Sequence, residues 1–121
     1  QTDNFIWNLL YPNLPETQTE MNIEAGLEFE NTEKELESLI SKIIKISEED
    51  VFFVIDKKGF NKSIIDWKRY RKTKAEHDSL LFEGGSMQPL MHYRSLTFTT
   101  KQKIESLNKE YETTLKKYAS C

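Results

Sequence analysis

Met21-Asn-Ile-Glu-Ala-Gly-Leu-Glu-Phe29 alternates without a break: Met21, Ile23, Ala25, Leu27 and Phe29 form one series, Asn22, Glu24, Gly26 and Glu28 the other. Period two is the mark of a strand with one face on the core, so this stretch predicts β structure. It also predicts that Glu24 and Glu28, with Glu20 and Glu30 at the ends, project away from the core as an acidic ribbon.

The flanking segments extend that reading. Leu36, Leu39, Ile40, Ile43 and Ile44 recur at i, i+3, i+4, i+7 and i+8 and predict a helix over 32–47. Thr32 and Glu35 have the spacing of a capping box at its start. Val51-Phe-Phe-Val-Ile55 is continuously apolar, β-branched and aromatic, as in a strand covered on both faces. Strand, helix and strand in succession predict a right-handed crossover. Asp56-Lys-Lys-Gly59 has turn composition, predicting a hairpin whose return arm is 60–71. Residues 75–89 read as a loop with one short strand, and Leu90 to Phe98 as a further strand. A last helix is expected over 100–118, with Ile104, Leu107, Tyr111, Leu115 and Tyr118 as its stripe. Upstream, Asp3 would cap a short helix over 3–10 that carries Phe5, Ile6, Leu9 and Leu10 and ends at Pro12. The expected fold is a single α+β domain over 1–121: a mixed sheet of about four strands, two long helices packed mainly on one face, and a short N-terminal helix.

Composition bounds the function. The chain has 121 residues, 37% apolar and 31% charged, a length that suits one core without disulfides or a structural metal. Its apolar runs are far shorter than the ~20 residues of a membrane span. The net charge of -3 conceals an asymmetry: residues 1–50 carry twelve acids and three bases, residues 51–121 fourteen bases and eight acids. Such a chain is expected to show faces of opposite sign. The single Cys121 excludes an intramolecular disulfide and is compatible with the cytoplasm, the expected compartment. Gln1 in first place also fits export with a cleaved signal peptide.

Motifs for catalysis are scarce. His77 and His92 are the only histidines, no His-x-x-x-His or Cys-x-x-Cys pair offers a zinc site, and Gly84-Gly85 lacks the Lys-Ser/Thr of a phosphate loop. No cofactor, metal or enzymatic activity is expected. One alternative is a small metal-dependent nuclease. Asp56-Lys57-Lys58 resembles the Asp/Glu-x-Lys arrangement of restriction-type nucleases, with Lys where that family carries an apolar residue, and the Glu48 to Asp50 run or Glu24 would supply a second acid.

Two surfaces remain. The basic and aromatic stretch 57–74 offers Lys68, Arg69, Tyr70, Arg71 and Lys72 for phosphate contact and base stacking, the second alternative being a nucleic-acid-binding protein. An acidic pI near 5.5 weighs against it. The acidic ribbon of Glu20, Glu24, Glu28 and Glu30 can instead imitate phosphates and dock on a basic protein surface, with Tyr93 or Phe60 as an aromatic anchor. The favoured expectation is therefore a non-enzymatic protein-binding module. Its concrete form is an immunity-type inhibitor that occludes a toxin enzyme such as a nuclease.

Overall fold

Thr17 begins the described structure, which covers residues 17–119 of a computed structural model. Its backbone is extended and its hydroxyl accepts the Glu20 N–H at 3.0 Å, so Thr17 caps a helix, α1, that runs unbroken over Gln18–Glu49. At 1.5 Å per residue such a helix is about 48 Å long. The strand expected over 21–29 is therefore its first half. The alternation was two interleaved helical ladders. Met21, Ala25 and Phe29 step by four along the inner face, whereas Ile23 and Leu27 step by four along the outer one and are 57% and 53% exposed. Thr32 does not start a helix but lies inside one, buried, its hydroxyl donating to the Glu28 carbonyl at 2.8 Å. The predicted stripe of Leu36, Leu39, Ile40 and Ile43 is buried and Ile44 half-buried.

Residues 51–55 are not a strand. Asp50 ends α1 in extended conformation, and the segment crosses as a loop in which Phe53 and Ile55 pack against the core while Val51, Phe52 and Val54 face solvent. The expected hairpin turn is instead a helix cap. The Asp56 carboxylate accepts the Gly59 N–H at 3.1 Å and opens α2, Lys57–Ser79. A β-carbon at Gly59 would crowd that carboxylate and make the Asp56 side chain shift. The return arm over 60–71 is thus helical, with Phe60, Ile64, Trp67, Arg71 and Ala75 turned inward.

One turn of 3-10 helix, Leu80–Phe82, and a reversal with Gly84 at φ +77° lead into α3, Gln88–Glu110. Pro89 falls in its first turn, where a missing N–H costs nothing. The strand expected over 90–98 belongs to this helix, because Leu90, Tyr93, Thr97, Thr100, Ile104 and Leu107 continue one stripe at spacings of three and four. The final helix expected from 100 thus starts twelve residues earlier, breaks at Tyr111, and resumes as α4, Glu112–Ala119. Among the described residues there is no strand, and the α+β expectation gives way to an all-helical bundle. The short helix expected over 3–10 lies outside the described residues.

Helix α3 packs against both α1 and α2. Contacts that pair Asn22 with Ser86 and Gly26 with Tyr93 set α1 and α3 parallel. Those that pair Glu48 with Lys57 and Glu33 with Arg71 set α2 antiparallel to α1. An aliphatic core of Leu36, Ile43, Ile46, Ile64, Ile104, Leu107 and Leu115 fills the end that carries the 50–56 loop.

Candidate protein-docking surface

The long helix places its acids in two environments. Toward α2, Glu33 takes Arg71 in a two-pronged pair, Nη1 to Oε1 at 3.0 Å and Nη2 to Oε2 at 2.6 Å. Glu37 meets Lys68, and Glu48 meets Lys57. Three acids of the first half and three bases of the second thus meet along a seam between α1 and α2.

Away from that seam, Glu20, Glu24 and Glu28 follow one another at i+4 on exposed turns of α1, with Glu35 further along the same ridge. Glu28 is bound by Lys101 of α3 at 3.0 Å, so one member of the expected ribbon answers to a lysine of the later half. Glu24, Glu30 and Glu35 have no ion pair among the described residues. Glu24, Leu27, Glu28, Asn31, Thr32 and Glu35 line an open depression of about 450 Å³. A second, of about 410 Å³, lies between α1 and Tyr93 and is lined by Ile23, Gly26, Leu27 and Glu30 among others. Gly26 matters here because the Tyr93 ring lies over it, 3.5 Å from where a β-carbon would be. Tyr93 is steadied by Phe29 at 6.3 Å between ring centres.

The expected partner-binding residues Glu20, Glu24, Glu28, Glu30 and Tyr93 are therefore gathered on the first half of α1 and the adjoining turn of α3. Sequence reasoning missed the centre of this surface. Ile23 and Leu27 are exposed side by side between the acids and Tyr93, an apolar pair inside a charged rim, which is the anatomy of a protein-binding patch. Their i, i+4 spacing was visible, but the strand reading sent both to the core.

The basic segment is dispersed by folding. Arg71 is buried, bonded to Glu33 and to the Thr100 hydroxyl at 3.0 Å, and flanked by the rings of Phe29 and Trp67 at 5.2 and 4.8 Å. Lys68 serves Glu37, and Arg69 lies 3.7 Å from Asp66 on its own helix. Tyr70 and Lys72 stay exposed. Of the five, the two engaged across helices tie the bundle together. Asp56 caps α2 and Lys57 pairs with Glu48, and no group of three or more His, Cys, Asp or Glu among the described residues is placed to hold a metal. No described helix is long and apolar enough to cross a membrane.

The strongest electrostatic perturbation lies between α2 and α3. The Ser95 hydroxyl donates to Asp78 at 2.7 Å and Lys74 at 3.1 Å, and these bonds hold the Asp78 carboxyl down at about 2 against some desolvation. This is a clamp between α2 and α3. Tyr111, beneath the 50–56 loop, is pushed up by burial and by the nearby Glu110 carboxylate.

An all-helical bundle with an exposed apolar and acidic ridge fits a binding module, and the comparison with known families decides which. A family model described as "Lysozyme inhibitor LprI" matches residues 13–117. The chain belongs to that family. The match spans all the long helices, so LprI membership covers the whole bundle and not one motif. An LprI chain is a member of an inhibitor family, a protein-binding and non-enzymatic class. Neither among curated proteins nor among solved structures does any match this chain.

Proposed function

We propose that this LprI chain inhibits a lysozyme by binding it through the outer face of the first half of α1. The observation that carries the reading is the exposed pair Ile23 and Leu27 set among Glu20, Glu24, Glu28, Glu30 and Tyr93, in a chain whose family is described by lysozyme inhibition. The apolar pair supplies contact area that releases water, and the acids supply steering and register toward a lysozyme with a basic surface. The target is thus a lysozyme and not the toxin nuclease suggested by acidity alone. The proposed place of action follows the target, moving from the cytoplasm to wherever a lysozyme meets its glycan.

Glu24 and Glu30 are the acids to reverse, since neither has an ion pair among the described residues and their loss leaves the bundle's own pairs intact. In the doubly substituted Glu24→Lys, Glu30→Lys protein, association with a lysozyme should slow and lose its dependence on salt, while the thermal midpoint stays within a degree or two. Binding by the double variant at the unaltered rate and salt dependence would remove the acidic face from the interaction.

A further inference from the structure

The reversal between α2 and α3 carries the most exposed large apolar side chain among the described residues. Leu81 is 92% exposed, Leu80 55% and Met87 40%, on either side of Glu83-Gly-Gly-Ser86. The segment is closely held. The N–H groups of Glu83, Gly85 and Gln88 donate to the carbonyls of Leu80, Phe82 and Gly85 at 3.1, 3.0 and 3.2 Å, and the Gly84 N–H donates to the Gln88 side-chain oxygen at 3.1 Å. Gly84, at φ +77°, supplies the left-handed conformation that the reversal needs. From α1, the Asn22 amide donates to the Ser86 carbonyl at 3.0 Å, and the Asn22 side-chain oxygen is itself held by the Gln18 amide at 2.9 Å. The turn is thus fastened beside the part of α1 that carries Ile23, and little ordering entropy remains to be lost when it binds.

We propose that the lysozyme interface continues over this end of the bundle and takes in the turn, with Leu81 as a second apolar anchor and Glu83 as a further steering charge. The inference rests on the lysozyme-inhibitor reading above and extends its surface beyond α1. Size requires an extension. A standard interface engages about 20 residues a side, and the outer face of the first half of α1 with Tyr93 supplies about half that number. Charge gives its direction. Residues 17–32 and 75–94, which meet through Asn22 and Ser86, carry seven acids and, besides His77 and His92, a single base, Arg94. The other described residues carry sixteen Lys and Arg against eleven acids. The bundle is therefore negative at the end where α1 begins and positive over the remainder. Glu28 and Asp78 are committed to Lys101 and Lys74, whereas Glu24, Glu30, Glu76 and Glu83 are exposed without an ion pair among the described residues. A basic lysozyme surface is drawn to this end and repelled by the rest. The apolar residues of the 50–56 loop belong to the opposite end: Val51 follows Ile23 by 28 residues, about 40 Å along α1, beyond the roughly 30 Å breadth of one interface.

The test uses the whole chain with purified lysozymes of the c, g and i types, assayed for inhibition of cell-wall glycan cleavage and for association rate as a function of salt. Leu81→Ala, Leu81→Asp and Glu83→Lys alter exposed side chains and should keep the helical content and thermal midpoint of the unaltered chain. Against the lysozyme that the unaltered chain inhibits, Leu81→Ala should raise the inhibition constant about 10-fold and Leu81→Asp more than about 100-fold. Glu83→Lys should slow association about 3-fold at low ionic strength and hardly at all at high. Inhibition at the unaltered level by both Leu81→Asp and Glu83→Lys, where Ile23→Asp has lost it, would overturn the extended surface and leave the α1 reading standing. Failure of the unaltered chain to bind any of the lysozymes would take down both. A thermal midpoint lowered by Leu81→Asp would show that the chain itself covers the turn. A Leu81-dependent dimer in sedimentation, in a chain whose inhibition ignores Leu81, would show that a second copy does, and either result overturns the proposal.

Discussion

The two ends of the bundle are built from different materials. Toward the 50–56 loop the helices close on Leu36, Ile43, Leu107 and their neighbours, a core whose buried side chains are all aliphatic. Toward the start of α1 they close on Thr32, Arg71, Ser79, Thr97, Thr99 and Thr100 together with Leu90, Leu96 and the small Ala25 and Ala75. Buried hydroxyls and a guanidinium contribute little net stability, but they accept few arrangements. Arg71 illustrates this, since its bonds reach Glu33 on α1 and Thr100 on α3 from a position on α2. The aliphatic end therefore holds the fold, and the polar end fixes how the three helices register where Ile23, Leu27 and Tyr93 must be presented together. The acidic ridge stands on the specified end.

The sharpest way to break this comparison is to empty the aliphatic end. Leu107→Ala removes a side chain only 2% exposed among Leu36, Ile43 and Ile104, and should cost about 3 to 4 kcal/mol by urea denaturation. A loss below about 1 kcal/mol would show that this core does not carry the fold.

At the polar end the expected effects depend on what is left behind. Arg71→Ala strands the Glu33 carboxylate, three-quarters removed from solvent, and should cost about 3 kcal/mol. Replacing both partners, as Arg71→Met with Glu33→Leu, should restore most of that stability, because the pair's gain is offset by its desolvation. The restored protein should still bind a lysozyme less well, since the register beneath Tyr93 is no longer fixed. Equal destabilisation by the single and double replacements would mean that Arg71 stabilises in its own right and that the two ends of the bundle are held alike.

This contrast also explains what could be read in the sequence. Around 36–44 the helix was legible because large aliphatic residues recur densely at three and four. Around 21–29 the inner ladder is diluted by Ala25 and the outer ladder of Ile23 and Leu27 is apolar too, so two sets offset by two residues imitate a strand. The distinguishing signal lay upstream, in Thr17 and Glu20 at cap spacing. The 51–55 run misled for another reason: its composition belongs to a buried strand, while three of its five residues are outside. The acids of the ridge were placed outward correctly, because Glu20, Glu24 and Glu28 share a face in either period. Arg71, read as a free base, could not be known as buried until α2 was a helix, and with it went much of the basic surface.

The smallest expected effect tests the clamp that joins α2 to α3 at the polar end. Asp78 is held at about 2 in the folded protein, chiefly by the Ser95 hydroxyl and by Lys74, whereas in an unfolded chain it titrates near the usual ~3.9. Above about pH 5 both states are ionised and the clamp's contribution is complete. Between about pH 4 and 2 the unfolded chain takes up a proton that the folded one refuses, so this stability is lost as the pH falls through the folded value. Ser95→Ala should therefore cost about 1 kcal/mol at pH 7, a magnitude kept low because a third of the carboxylate's side chain meets water. Its difference from the unaltered chain should shrink steadily on titration toward pH 2. A difference that stays constant over that range would mean that Ser95 acts through packing, and that the charge on Asp78 plays no part in holding α3 against α2.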